Sequence, residues 1–220
     1  MMGRSKFAQD FKEVEDRFPK LSYFWSSKLK YWVISGELDI CDVKGDYWNT
    51  FNITIGIPHS YPNCIPCVFE NSTLIPRDID WHISQEGACC VDIEHNLIAM
   101  SKRGINIYLF INEKVYPYFA NQIFKMEEKN YAGEEYAHHL DGVIQYYIED
   151  HNLTDIDTVI LMLEAIVANS NIGRNKKCPC KSDKKVKDCH LDSIETIKSL
   201  GKERVQKDFE EINKFRNLFR

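Results

Sequence analysis

The sequence predicts an α+β fold with a small metal-binding module behind it. Three observations lead there. A helical stripe opens the chain, and a run of alternating β-branched and aromatic segments follows it. Helical patterns then fill the second half, interrupted by a compact cluster of cysteines and a histidine. One helix followed by consecutive strands is the order of a segregated α+β domain, not of alternating βαβ units.

The elements follow in order. Phe7, Phe11, Val14 and Phe18 recur at intervals of four, three and four among Lys, Asp and Glu. That spacing makes one apolar face of a helix over 5–18, and Pro19 ends it. Residues 31–40 and 48–57 alternate and are rich in Trp, Val, Ile, Thr and Phe, with a turn signal at Lys44-Gly45-Asp46. A third short strand, Cys67-Val68-Phe69-Glu70, follows a bend containing Pro58, Pro62 and Pro66. Proline has no N–H to give to a ladder, so the bend reads as an extended crossing with Tyr61 available to pack.

Beyond residue 100, Ile105, Tyr108, Leu109, Ile111, Val115, Tyr116, Phe119 and Ile123 fall at helical intervals, and Pro117 predicts two pieces or a kink. Thr154-Asp155-Ile156-Asp157 carries the chemistry of a helix start, and the next helix is faced by Val159, Ile160, Leu163, Ile166 and Val167. Ile194, Ile197 and Leu200 lie before Gly201, with Val205, Phe209, Ile212, Phe215 and Phe219 after it. One long helix, broken at the glycine, accounts for them.

Composition narrows the function classes. The 220 residues carry 44% hydrophobic side chains and a net charge of −5. This is a globular composition, and its charge gives no reason to expect nucleic acid or acidic lipid as main partner. No apolar run approaches a membrane span, and the opening residues are charged, unlike a signal peptide. The expectation is a cytoplasmic protein with reduced thiols. Its eight cysteines divide into Cys41, Cys64 and Cys67 in strand-like sequence, the adjacent pair Cys89-Cys90, and Cys178, Cys180 and Cys189.

The pair sits in Trp81-His82-Ile83-Ser84-Gln85-Glu86-Gly87-Ala88-Cys89-Cys90-Val91-Asp92-Ile93. A glycine able to turn tightly, a histidine and an acid around a thiol can present a thiolate from a loop. Equally, cysteine is among the most buried residue types, and both thiols fit a core.

The stretch from Phe51 to Phe69 resembles ubiquitin-conjugating enzymes, with alternating strand residues, Pro58-x-x-Tyr61-Pro62, then Pro66-x-Val68-Phe69. In that family a His-Pro-Asn tripeptide and Gly-x-x-Cys-x-Asp follow. Here His82-Ile83-Ser84 and Gly87-Ala88-Cys89-Cys90-Val91-Asp92 stand in the same order, with Ile83 and Ser84 replacing Pro and Asn. The resemblance implies the ubiquitin-conjugating fold and makes Cys90 the thioester nucleophile. It gives His82 a supporting or basic role and Ser84 the place of the asparagine. Asp92 would orient an incoming amine or cap the loop, and Cys89 would either exchange with Cys90 or pack. Gly133-Glu134 and His138, followed by Gly142 and Tyr146-Tyr147, are similar to bacterial relatives of these enzymes.

Those relatives serve cyclic-oligonucleotide anti-phage signalling. The resemblance therefore implies a donor protein with an activated C-terminus, a cGAS/DncV-like nucleotidyltransferase, and an activating enzyme supplied in trans. An adenylating motif and a fused ubiquitin-like domain are both missing from this sequence.

Cys178-Pro179-Cys180, eight residues, then Cys189-His190 give three thiolates and one imidazole, the donor set of a closed structural zinc site. With Gly173-Arg174-Asn175 before it, the segment resembles the SEC-C zinc motif. The expected organisation is a conjugating domain over 1–150, a connecting helix over 151–172, the zinc module over 173–192 and a terminal helix over 193–220. Three other readings stand beside the transferase: a binding scaffold of the same fold, a nucleic-acid-binding zinc protein using Lys176, Lys177, Lys181, Lys184, Lys185 and Lys187, and a dithiol redox enzyme. The overall acidity disfavours the second of these, and adjacent Cys89-Cys90 is not the Cys-x-x-Cys pair that the third would use.

Overall fold

In the computed structural model, which describes residues 2–133, 136–168 and 172–218, the chain forms two compact units, Met1–Glu134 and Glu135–Arg220. The first is α+β. Helix α1 (Met2–Arg17) leads into four strands, β1 (Leu21–Ser26), β2 (Tyr31–Cys41), β3 (Tyr47–Pro58) and β4 (Cys67–Glu70). They form one antiparallel sheet in the order β1-β2-β3-β4. Alternation along β3 buries Phe51, Ile53, Ile55 and Ile57 on one face, beside Ile34, Leu38 and Ile40 of β2. Phe7, Phe11 and Val14 of α1 join them in one core, with the Phe7 ring stacked on Trp32 at 5.0 Å. Each such side chain contributes about 1.5–3 kcal/mol by leaving water.

Strand β1 was not anticipated. It pairs along its length with β2, from Leu21↔Gly36 to Ser26↔Tyr31. Its connection to β2, residues 27–30, contains neither Gly nor Pro and instead places Lys30 at φ 58°. Without a turn signal, Leu21-Ser22-Tyr23-Phe24-Trp25-Ser26 does not stand out as an element.

The proline crossing is tied down at Tyr61. Its hydroxyl donates to Asp10 Oδ2 at 2.6 Å and accepts from the Ile107 N–H at 3.0 Å. Helix α2 (Glu94–Arg103) follows the cysteine loop, and α3 (Ile107–Phe110) runs through a π-helical segment, Ile111–Val115, into α4 (Tyr116–Glu128). Pro117 therefore sits at the start of α4, where the widened turn absorbs its missing donor, and the helical pieces run on. From α4, Phe119 packs on Phe51 at 4.7 Å, and the Tyr116 hydroxyl both donates to Cys41 O and accepts from Cys41 N.

The second unit is helical: α5 (His139–Glu149), α6 (Ile156–Val167), α7 (Leu191–Ser199) and α8 (Lys202–Leu218). The first unit runs to Glu134, and in the second α5 packs on α6 and α8. The Tyr147 hydroxyl donates to the fully buried Asp208 at 2.7 Å, and Arg204 pairs with the same carboxylate at 3.0 Å. Asp155 caps α6 by accepting the Thr158 N–H at 2.7 Å, and Gly201, at φ 95°, separates α7 from α8. The expected Phe219 and Glu134 lie outside the described residues. Among those described, no helix is long and apolar enough to cross a membrane.

Candidate functional site

The cysteine loop of the first unit is built as an added edge on β4. The Cys89 N–H donates to Val68 O at 2.8 Å, and Gly87 O accepts from the Glu70 N–H at 2.9 Å. A tight turn precedes the cysteines, with Gly87 N–H donating to Ser84 O and Ser84 N–H to Ala88 O. Gly87 has φ 87°, and a Cβ there would stand 2.6 Å from Glu70 O. Only glycine fits this approach. Beneath it, Arg77 bonds both the Glu70 carbonyl at 2.8 Å and its buried carboxylate at 2.7 Å.

His82 ends the 3-10 turn Ile79–Trp81 in a left-handed conformation, φ 50° and ψ 40°. Its carbonyl accepts the Cys90 N–H at 2.8 Å and the Tyr118 hydroxyl at 3.2 Å. The His82 ring stands 5.6 Å from that of Tyr131. Lys125 lies over Tyr131 at 4.0 Å and Trp81 at 4.9 Å while donating to Asp80 O, which fixes the approach to the loop.

Extended backbone sends neighbouring side chains to opposite sides. Cys90 is exposed, whereas the Cys89 thiol is enclosed beside Tyr118. Burial pushes the Cys89 thiol up to about 12, a value tempered by the Tyr118 hydroxyl. The Cys90 thiol is also raised, first by partial desolvation against the loop and then by the charge of Glu94. Cys89 is thus held neutral, and Cys90 is the thiol that reagents reach.

The other expected residues serve the loop. The Ser84 hydroxyl accepts from the N–H groups of Glu86 and Ala88 at 3.2 and 3.1 Å and donates to the Glu86 carboxylate at 3.0 Å. Asp92 accepts from the Ile93 N–H at 2.7 Å and from Asn96 at 3.2 Å, and it pairs with Lys114 of the π segment at 2.7 Å. Of the two roles considered for Asp92, its bonds fit the cap. Tyr118 was not singled out in the sequence, where it looks like one more aromatic at a helical interval. His138 lies in the second unit, at the N-cap of α5.

The second unit holds the other cluster. A hairpin closed by Cys178 N–H to Lys184 O and Val186 N–H to Lys176 O brings the two halves of the motif together. The ligand atoms of Cys178, Cys180, Cys189 and His190 all lie within 4.8 Å of one another. Cys178 Sγ is 3.4 Å from His190 Nδ1, and Cys180 Sγ is 3.6 Å from Cys189 Sγ. A tetrahedral zinc with ~2.3 Å sulfur bonds has edges of about 3.5–3.8 Å; these two separations come close to that range, while Cys189 Sγ and His190 Nδ1 stand closer, at 3.1 Å. His190 Nε2 stands 3.2 Å from Asn152 O. That contact favours a proton on Nε2 and leaves the Nδ1 lone pair facing the thiols, the outer support that metal-binding histidines use. The cluster can hold a metal ion such as zinc. Asn152 belongs to this site and was missed because backbone carbonyls leave no mark in a sequence.

The chain matches no protein-family model, and no curated protein matches it.

Proposed function

We propose that the chain is a ubiquitin-conjugating-like acyl transferase that carries the C-terminus of a donor protein as a thioester on Cys90. The carrying observation is the division of labour in the loop: Cys90 is exposed on an edge strapped to β4, and its neighbour Cys89 is enclosed. In the reaction, the Cys90 thiolate attacks the carbonyl of a donor already activated as a thioester on another enzyme. The new C–S bond forms and the first enzyme's thiolate leaves. A second nucleophile, an amine or water, then attacks, loses its proton and releases the Cys90 thiolate. Gly87 keeps the backbone close without a Cβ, and the fold in this reading is that of the conjugating enzymes. The SEC-C-like knuckle holds zinc structurally and docks partners in a reducing, cytoplasmic setting. The donor is a cGAS/DncV-like nucleotidyltransferase of anti-phage signalling.

A scaffold reading is favoured by the bonds of Ser84 and Asp92, both spent on the loop. Incubation with the donor and its activating enzyme, followed by non-reducing electrophoresis, separates the two. A thiol-sensitive adduct that persists in Cys89→Ala and vanishes in Cys90→Ala is expected. No adduct with an active donor would establish the scaffold, and an adduct that depends on Cys89 alone would move the nucleophile.

A further inference from the structure

The cysteine loop meets β4 in a register that decides which of its two adjacent thiols faces outward. Ala88 stands opposite Phe69, with the Glu70 N–H donating to Gly87 O and the Cys89 N–H to Val68 O on either side. Gly87 therefore falls opposite the buried Glu70, and Cys89 opposite the buried Val68. Side chains alternate along such an edge, so a slip by one residue in either direction would turn Cys90 inward and Cys89 outward. Something must fix the register.

The fixing point is the position of Gly87. A Cβ there would stand 2.6 Å from Glu70 O and 3.1 Å from Arg77 Nη2, so neither Glu86 nor Ala88 can take the place. Backbone closes it on one side and a guanidinium on the other. Glu70 itself holds that guanidinium: Arg77 Nη2 donates to Glu70 O at 2.8 Å and pairs with Glu70 Oε2 at 2.7 Å. Glu70 is 1% exposed, and its Oε1 has no hydrogen-bond partner among the described residues. Arg77 and the Thr73 N–H, which donates to Oε2 at 3.1 Å, thus balance the buried carboxylate. Without Arg77 that charge would lie unpaired beside the loop, a costly arrangement. The Arg77 carbonyl adds a second hold on the turn by accepting from Gln85 Nε2 at 2.6 Å.

We infer that Glu70 and Arg77 are positioning residues that pin the loop in the register presenting Cys90 and enclosing Cys89. They act on Cys90 through Gly87 and the edge pairing. The inference rests on the reading of Cys90 as the nucleophile, but the choice between the thiols is made before any donor arrives. Labelling measures that choice without a donor, so a missing adduct and a missing pin are separate results.

The test alkylates the full, metal-loaded chain with limiting iodoacetamide and reads Cys89 and Cys90 separately from fragment-ion masses. In the unaltered chain the exposed Cys90 should label roughly tenfold faster than Cys89, or more. Arg77→Gln should erase most of that difference, Cys89 gaining and Cys90 losing, while the buried Cys64 stays protected. Arg77→Lys keeps the charge without the planar group against Gly87 and should fall between. Glu70→Gln combined with Arg77→Gln removes both charges, strands neither, and should recover part of the preference for Cys90. A pair that only supported the fold would lose more with two changes than with one. An unchanged preference in Arg77→Gln would overturn the inference. So would Cys64 labelling in step with Cys89, which is unfolding, or a double variant worse than Arg77→Gln. Arg77→Lys alone decides the matter if Arg77→Gln fails to fold.

Discussion

Adjacent positions on an extended segment meet different surroundings, and Cys89 and Cys90 carry that difference into their protonation. Cys89 is held as a neutral thiol near Tyr118, with its pKa pushed up to about 12. At Cys90 the smaller rise comes from desolvation and then from Glu94, at the first turn of α2. Because the thiolate is the reactive form, iodoacetamide labelling of Cys90 should rise with pH through a midpoint above that of an ordinary cysteine. Glu94→Gln removes the nearby negative charge, favours the thiolate and should lower that midpoint, raising the rate at neutral pH. Peptide-resolved labelling from pH 6 to about 10, spanning the ordinary cysteine range, measures both. A midpoint unchanged by Glu94→Gln would show that burial alone sets the value.

Among the elements, α6 has the cleanest terminus. Asp155 accepts the Thr158 N–H, and this bond holds its carboxyl below the usual carboxylate range. The cap's contribution is then fully present above the unfolded aspartate value of about 3.9 and is lost as pH falls through the lower folded value. Asp155→Ala should cost about 1 kcal/mol at neutral pH, read as a fall in the urea midpoint, and the difference should close in strong acid. This helix was legible because its start is written locally, in Thr154-Asp155-Ile156-Asp157. The β2–β3 meander and the helix break at Gly201 were legible for the same reason. Strand β1 was hidden by a turn of ordinary residues. The cysteine loop was recognisable as a site, but the uses of Asp92 and Tyr118 depend on Lys114 and Cys89, partners that only folding brings near. A sequence pattern gives the polar group, and the fold chooses its partner.

Across the whole molecule, the cysteine knuckle of the second unit draws on a different source of stability from the sheet and helices. The first unit buries a continuous apolar core from α1 through α4. The knuckle between α6 and α7 has little apolar burial, chiefly Val186 and Cys178, and exposed Lys176, Lys177, Lys181, Lys184, Lys185 and Lys187 surround it. Those cations repel one another, and ionised thiols, which a bound metal keeps ionised, offset part of that repulsion. Metal binding and folding of residues 173–190 should therefore be one event, with metal free energies of order 10 kcal/mol in comparable small sites. Chelation should abolish hydrogen-exchange protection of the hairpin and loosen the start of α7, which begins right after His190, while β2 and β3 stay protected. One equivalent of zinc should restore it, and Cys180→Ser should raise the zinc concentration needed by at least tenfold. Protection unchanged by chelation would mean that the hairpin hydrogen bonds suffice and that the four side chains meet without an ion. Loss of protection in β2 and β3 as well would mean that the metal supports the first unit too, contrary to a core that is complete within residues 7–126.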